Sequence, residues 1–238
     1  MKKSGVLILT AVLALSCQYA FCQIKTETAF QIGSYKYSDE SSASIYVDFS
    51  VEYVVSSMNS SVASNINSAI IQHVFGKQEE ASVPRMLEQF KDNVVEEYRS
   101  ESDGANWSRT GKSYFSTNYG QYRSYVLEFT SNEGASKPMV NKIGTVFNMK
   151  SGKEVDVTEF FLPGYDMTLC PVISRLRNDG KNAGVKYYSD KLISTNNYTV
   201  SSKGITFIYN PYDVAPASAG VIEITVPWSE IKSIINKD

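Results

Sequence analysis

Side chains able to carry acid–base, nucleophilic or metal chemistry are few in this chain. Its 238 residues include one histidine, His73, and three cysteines, Cys17, Cys22 and Cys170. Zinc draws its usual ligands from several nitrogen and sulfur donors, which this inventory does not supply. A serine triad would have to use the same His73, and no Gly-x-Ser-x-Gly elbow is present. His73 falls on the apolar stripe of a helical pattern, where a packed or interface-facing role is the expectation. Cys170 lies in the run Leu169-Cys170-Pro171-Val172-Ile173, the setting of a small buried hydrophobe. Phosphate-cradling motifs are absent. Paired carboxylates are the remaining catalytic option, since a glycosidase needs only two, about 5–9.5 Å apart. The candidates are Glu79-Glu80, Glu96-Glu97, Asp39-Glu40 and Asp156 with Glu159. Adjacent carboxylates usually form a solvated face, and Asp156 reads as a helix cap. No catalytic residue, metal ligand or cofactor is therefore assigned.

Binding chemistry is better represented. There are 16 tyrosines beside 2 tryptophans, and tyrosine offers a flat apolar face with a polar tip, suited to sugar rings and protein interfaces. Two alternating segments, 205–209 and 221–228, flank a loop braced by Pro211, Pro216 and Gly220. In and beside that loop, Tyr209, Tyr212, Asp213 and Ser218 are the candidate binding residues. The competing roles are strand propensity for the tyrosines and local backbone hydrogen bonding for Asp213.

Hydrophobic periodicity places these residues on an α+β scaffold. Ile45, Val47, Phe49 and Val51 alternate as one strand face, with a further strand near 28–37. Helical patterns follow over 60–76 and 84–101, then a hairpin of strands 107–117 and 121–131 turning at Asn118-Tyr119-Gly120. The loop chemistry of Glu133-Gly134-Ala135-Ser136-Lys137-Pro138 suggests a lobe boundary, with strand 142–149 opening the second lobe. Asp156 and Glu159 form a capping-box pair for a short helix to Phe161. A helix near 166–178, strands 197–201, 204–209 and 221–226, and a final helix capped by Ser229 complete the pattern. The expectation is two packed lobes, 23–133 and 134–238, each an antiparallel sheet with helices on one face.

Residues 1–22 read as a secretory signal peptide. Lys2 and Lys3 precede an apolar stretch, 5–16, too short for a membrane span, and Ala20-Phe21-Cys22 offers a cleavage site. The competing reading is lipoprotein processing, with Cys17 acylated as a lipid tether. A retained membrane anchor is the third reading; under the first two the chain is exported, periplasmic or extracellular. The whole chain has 23 basic and 25 acidic residues. Losing Lys2 and Lys3 makes it more acidic still, which argues against a generic nucleic-acid partner.

The segment Phe207-Ile208-Tyr209-Asn210-Pro211-Tyr212-Asp213-Val214-Ala215-Pro216, with Ala219-Gly220 and the strand end 224–228, resembles the extracellular domain shared by RsiV-type anti-sigma factors and PdaC-type peptidoglycan deacetylases. The stretch 146–161 is similar to a second block of that domain. The first lobe resembles its companion PdaC-like domain through Asn65-Ile66-Asn67 and the Phe90…Glu97-Tyr98 helix. The resemblance implies a secreted, non-catalytic cell-envelope recognition module. Its partner would be peptidoglycan-type glycan or an envelope-directed protein such as lysozyme. A carboxylate-dependent glycan hydrolase and a structural envelope assembly partner are the alternatives. The family often carries Gly-Gly-Ala-His before the second lobe. Here the place reads Glu133-Gly134-Ala135-Ser136, so no role of that histidine carries over.

Overall fold

Alternating apolar residues fold into long strands here, and their pairing defines the molecule. The structure, a computed structural model, describes residues 25–236 except 28–29, 43–44, 56–59, 77–81, 102–105 and 135–136. The leader, with Cys17 and Cys22, and the Glu79-Glu80 pair lie outside the described residues.

Six strands form the first sheet in sequence order: β1 (Lys25–Glu27), β2 (Phe30–Ser42), β3 (Ile45–Val55), β4 (Trp107–Tyr119), β5 (Tyr122–Glu133) and β6 (Met139–Asn148). All neighbours are antiparallel except β3 and β4, which run parallel. Two helices, α1 (Ser60–Phe75) and α2 (Val83–Glu101), fill the β3–β4 crossover, as a parallel pair requires. Period-two alternation turns Ile45, Val47, Phe49 and Val51 toward Ile66, Ile70, Met86, Leu87 and Val94 on the helices. Each fully buried isoleucine or leucine contributes about 1.5–3 kcal/mol. Asn67 of α1 completes the docking with its carboxamide, which accepts from Val54 N at 2.9 Å and donates to Val54 O at 2.8 Å. A side chain thereby stands in for a strand partner at the end of β3.

The second sheet is small and antiparallel: β7 (Tyr198–Val200), β8 (Gly204–Tyr209) and β9 (Ile222–Pro227). Around it lie α3 (Asp166–Leu176) and the short 3₁₀ turn Val157–Phe160, capped by the expected Asp156–Glu159 box. Pro171 sits inside α3, with the exposed side of the helix absorbing it. The α+β class with antiparallel-dominated sheets holds.

Two expectations are corrected. Strand β6 does not open the second lobe. It pairs with β5 along its whole length, from Tyr122↔Asn148 to Ser131↔Met139. The chain between Glu133 and Met139 therefore joins two antiparallel neighbours of one sheet, and its residue chemistry is the same as that of a linker. Phe147 of β6 is buried in the first core and its neighbour Val146 in the second. The final helix from Ser229 is instead two 3₁₀ turns, Trp228–Glu230 and Lys232–Ile234. Buried Ile231 and a β-bridge of Ile235 to Phe161 hold the tail down and stop a helix from forming.

Because β6 is an edge strand, its outer backbone groups need partners. The second lobe supplies them. Asn197 Nδ2 donates to Lys142 O at 2.9 Å, Gly144 N donates to Asn197 Oδ1 at 2.7 Å, and Lys142 N donates to Asn210 Oδ1 at 2.7 Å. Further along, Val155 N donates to Val146 O at 2.8 Å. Buried Ser124 of β5 ties in β7 by accepting from Val200 N at 2.8 Å and donating to Val200 O at 3.0 Å.

Candidate functional site: a polar cleft on the open sheet face

Helices cover one face of the first sheet. The second lobe covers only part of the other, and the remainder forms a cleft of about 590 Å³. Alternation decides its lining. The odd residues of β3 to β6 face the helices, so the even ones face the cleft. Strand register then assembles two transverse rows. One runs Ser50, Lys112, Glu128, Lys142, and the other Asp48, Thr110, Thr130, Val140. Lys181, Val221 and Glu223 of the second lobe form the wall.

The first row continues into that wall as a chain of alternating charge. Lys112 Nζ lies 3.0 Å from Glu128 Oε2, and Lys142 Nζ lies 3.3 Å from Glu128 Oε1. Lys142 Nζ is also 3.2 Å from Glu223 Oε2, and Lys181 Nζ is 2.8 Å from Glu223 Oε1. Tyr114 OH donates to Glu128 at 3.1 Å. Partial burial pushes the Glu128 carboxyl up, but hydrogen bonds from Lys112 and Lys142 outweigh it and hold it below its ordinary 4.5. Glu223 behaves alike, with burial opposed and overcome by Lys181 and Lys142. Burial works against charge on Lys142 too, yet Glu223 and Glu128 raise it above 10.5. The second row is different. Among the described residues its Thr110 and Thr130 hydroxyls form no hydrogen bond within the protein, nor do the Ser50 hydroxyl of the first row and the Asn141 carboxamide of β6, which also line the cleft.

The residues expected to bind do not converge. Tyr209 is buried, 3% exposed, and its hydroxyl donates to Ile193 O at 2.6 Å, so it is a core anchor and not a contact surface. Burial drives its phenol far above the ordinary value. Asp213 accepts from Asn210 N at 2.7 Å, the loop-holding role. Tyr212 is 62% exposed with φ +74°, and Ser218 is exposed on the turn Ala217–Ala219. The loop nevertheless abuts the cleft, because Asn210 holds Lys142 N and Val221 lines the wall.

Other sequence candidates are accounted for. His73 is half-buried on α1 with Nε2 against the Glu154 carboxylate. Cys170 is half-buried, its thiol pushed up mainly by burial and by Asp166 at 3.8 Å. Glu97 forms a two-pronged ion pair with Arg109, at 2.9 and 3.1 Å. Glu96 is exposed, and Asp39 and Glu40 belong to β2. Among the described residues no three His, Cys, Asp or Glu side chains converge as a metal site, and no helix is long and apolar enough to cross a membrane. The cleft carboxylates Glu128 and Glu223 were missed. Their strands show an outward-facing polar phase, but they belong to different sheets, and only docking of the second lobe brings both to Lys142.

Residues 158–229 match the model of DUF3298, a family of proteins of unknown function. Among solved structures, a DUF3298 family member from Bacteroides fragilis superposes with TM-score 0.77 at 17% identity, over 88% of this chain and 94% of its own. A DUF3298 family protein from Pseudomonas aeruginosa PAO1 gives TM-score 0.60 at 10% identity, over 86% and 94%. A search of curated proteins finds no match. The second lobe therefore carries a DUF3298 domain, set in an overall fold shared with DUF3298 family proteins of two bacterial species.

Proposed function

We propose that this is an exported, non-catalytic recognition module of the cell envelope that binds peptidoglycan-type glycan in the cleft between the two lobes. The observation that carries the reading is the cleft's lining. Free hydroxyls on adjacent strands form a row beside a charge ladder, a surface suited to a hydroxyl-rich chain. The resemblance of 207–220 to RsiV- and PdaC-type extracellular domains supports an envelope ligand. Any tether would come through Cys17, and the excess of acidic residues disfavours nucleic acid.

Glu128 and Glu223 both reach the Lys142 ammonium, and the alternative, a carboxylate-dependent hydrolase, would draw on this pair. Such an enzyme needs one carboxyl held protonated by a raised pKa. Both carboxyls here are shifted the other way, which favours recognition over cleavage. An envelope-directed protein such as lysozyme is the second reading. Exposed Met167, Tyr188, Ile193 and Tyr212 on the second lobe favour it, since exposed large apolar groups suit protein contacts.

Calorimetric titration of the chain from Gln23 onward with muropeptides and with lysozyme separates these readings. Muropeptide binding should fall at least about tenfold in Thr130→Tyr, which fills the cleft, while Tyr212→Ala leaves it unchanged. Loss in Tyr212→Ala with Thr130→Tyr unaffected would move the site to the 210–220 loop. Release of reducing ends from purified peptidoglycan, abolished by Glu128→Gln, would overturn the non-catalytic reading.

A further inference from the structure

The distribution of charge in the cleft bears on which glycan it takes and which way round. The ladder Lys112–Glu128–Lys142–Glu223–Lys181 begins and ends on ammonium groups, so three cations face two carboxylates. Lys142 is shared by both carboxylates and is the least exposed of the three lysines, whereas Lys112 and Lys181 are each more than half exposed with a single carboxylate partner. An ammonium has three donors, so each outer lysine keeps donors for a ligand.

The two ends are not equivalent. At the β3 end a third carboxylate lines the cleft: Asp48 stands opposite Thr110, two residues along β4 from Lys112. At the second-lobe end the hydroxyl row terminates in Val140, and Val221 of the second lobe lines the same cleft. Among the lining residues there, Lys181 faces no carboxylate beyond Glu223. With Asp48 included, three cations meet three carboxylates along the lining, and the positive end of the cleft is at Lys181.

Resting on the proposal that the cleft binds glycan, we infer that its ligand is an acidic oligosaccharide, lying across the strands along Thr110 and Thr130, with a sugar carboxylate at Lys181. Neighbouring strands are about 4.8 Å apart, so successive hydroxyls of the row meet successive sugar rings. The carboxylate adds a charge-assisted hydrogen bond from Lys181 Nζ, while Asp48 disfavours the reversed orientation by like-charge repulsion.

The test compares two probes on the chain from Gln23 onward: the N-acetylglucosamine–N-acetylmuramic acid disaccharide with its free lactyl carboxylate, and the same disaccharide with that carboxyl reduced to an alcohol. The acidic form should bind about tenfold tighter at low salt, with the preference shrinking as salt rises because Lys181 is exposed. Lys181→Gln should erase the preference and leave binding of the reduced form intact. Asp48→Asn should leave the preference in place. Equal binding of both probes, or a preference that survives Lys181→Gln, would overturn the inference while the glycan-binding reading stands. Binding of neither probe overturns both. Circular dichroism of Lys181→Gln confirms that the exposed substitution leaves the fold unchanged.

Discussion

A single asparagine supplies two of the hydrogen bonds that attach the second lobe to β6. The Asn197 carboxamide offers one donor and one acceptor to the β6 edge, at Lys142 O and Gly144 N, as a neighbouring strand would. Asn197→Ala removes both and leaves two backbone groups unpaired, an expected loss of about 2–3 kcal/mol. Urea titration should show a lower midpoint at unchanged slope. Asn197→Asp is the sharper control, because it keeps the acceptor and loses the donor. Tyr212 is the opposite case, a residue that works against stability. Its φ of +74° is a region that L-residues occupy at a cost of roughly 1–2 kcal/mol, and its ring is mostly solvent-exposed. Tyr212→Gly should therefore hold stability level or raise it by up to about 1 kcal/mol, although large-to-glycine changes usually destabilise. A drop of more than about 1 kcal/mol in the same urea titration would mean that the ring packs against the protein.

At the scale of elements, β6 is where the two lobes meet most closely. A Cβ at Gly144 would lie 2.7 Å from Tyr198 O and 2.8 Å from Ile208 Cδ1, so only glycine lets β7 and β8 settle against this edge. Gly144→Ala should cost about 1–3 kcal/mol by forcing the sheets apart, measured as a lower thermal midpoint. Cutting the chain to 134–238 gives a more drastic outcome. That fragment keeps β6 without β5, and Phe147 without its core. It should fail to give a dispersed amide spectrum, whereas an independently folding fragment would restore a domain boundary at 133/134. Elements were mostly legible in the sequence, because each reports its own periodicity. The β3 alternation, the α1 and α2 stripes and the Asp156–Glu159 cap all appear where the residues place them. The tail from Ser229 misled, because a serine followed by an amphipathic stretch looks the same whether or not a neighbouring segment pins it flat. Here Asn236 N donates to Phe160 O and Leu162 N to Ile234 O.

Across the whole molecule, the charge ladder ties stability to pH in a calculable direction. Glu128 and Glu223 hold their protons less tightly in the fold than in the unfolded chain. Their contribution is complete above their ordinary value of 4.5 and is lost as pH falls through the lower folded values. Lys142 and Lys112 shift the other way, so their contribution is complete below 10.5 and lost as pH rises through the higher folded values. Lys112 and Lys181 are more than half exposed and the three groups between them are partly buried, and solvent screening keeps the ladder's contribution on the order of 1 kcal/mol. Denaturation midpoints measured across pH should show a plateau with both shoulders, and Glu223→Gln should flatten the acid one. Neither the ladder nor the cleft could be read from the residues. Lys112, Glu128, Lys142, Lys181 and Glu223 are ordinary surface residues one by one, scattered over a hundred positions. Phase along a strand is a local property, written in alternating side-chain polarity, and it marks Lys112, Glu128, Lys142 and Glu223 as outward-facing, while Lys181 lies on the turn Gly180–Asn182. Which strands lie side by side, and in what register, depends on contacts between distant segments. Those contacts bring the five together and leave part of the sheet uncovered beside them.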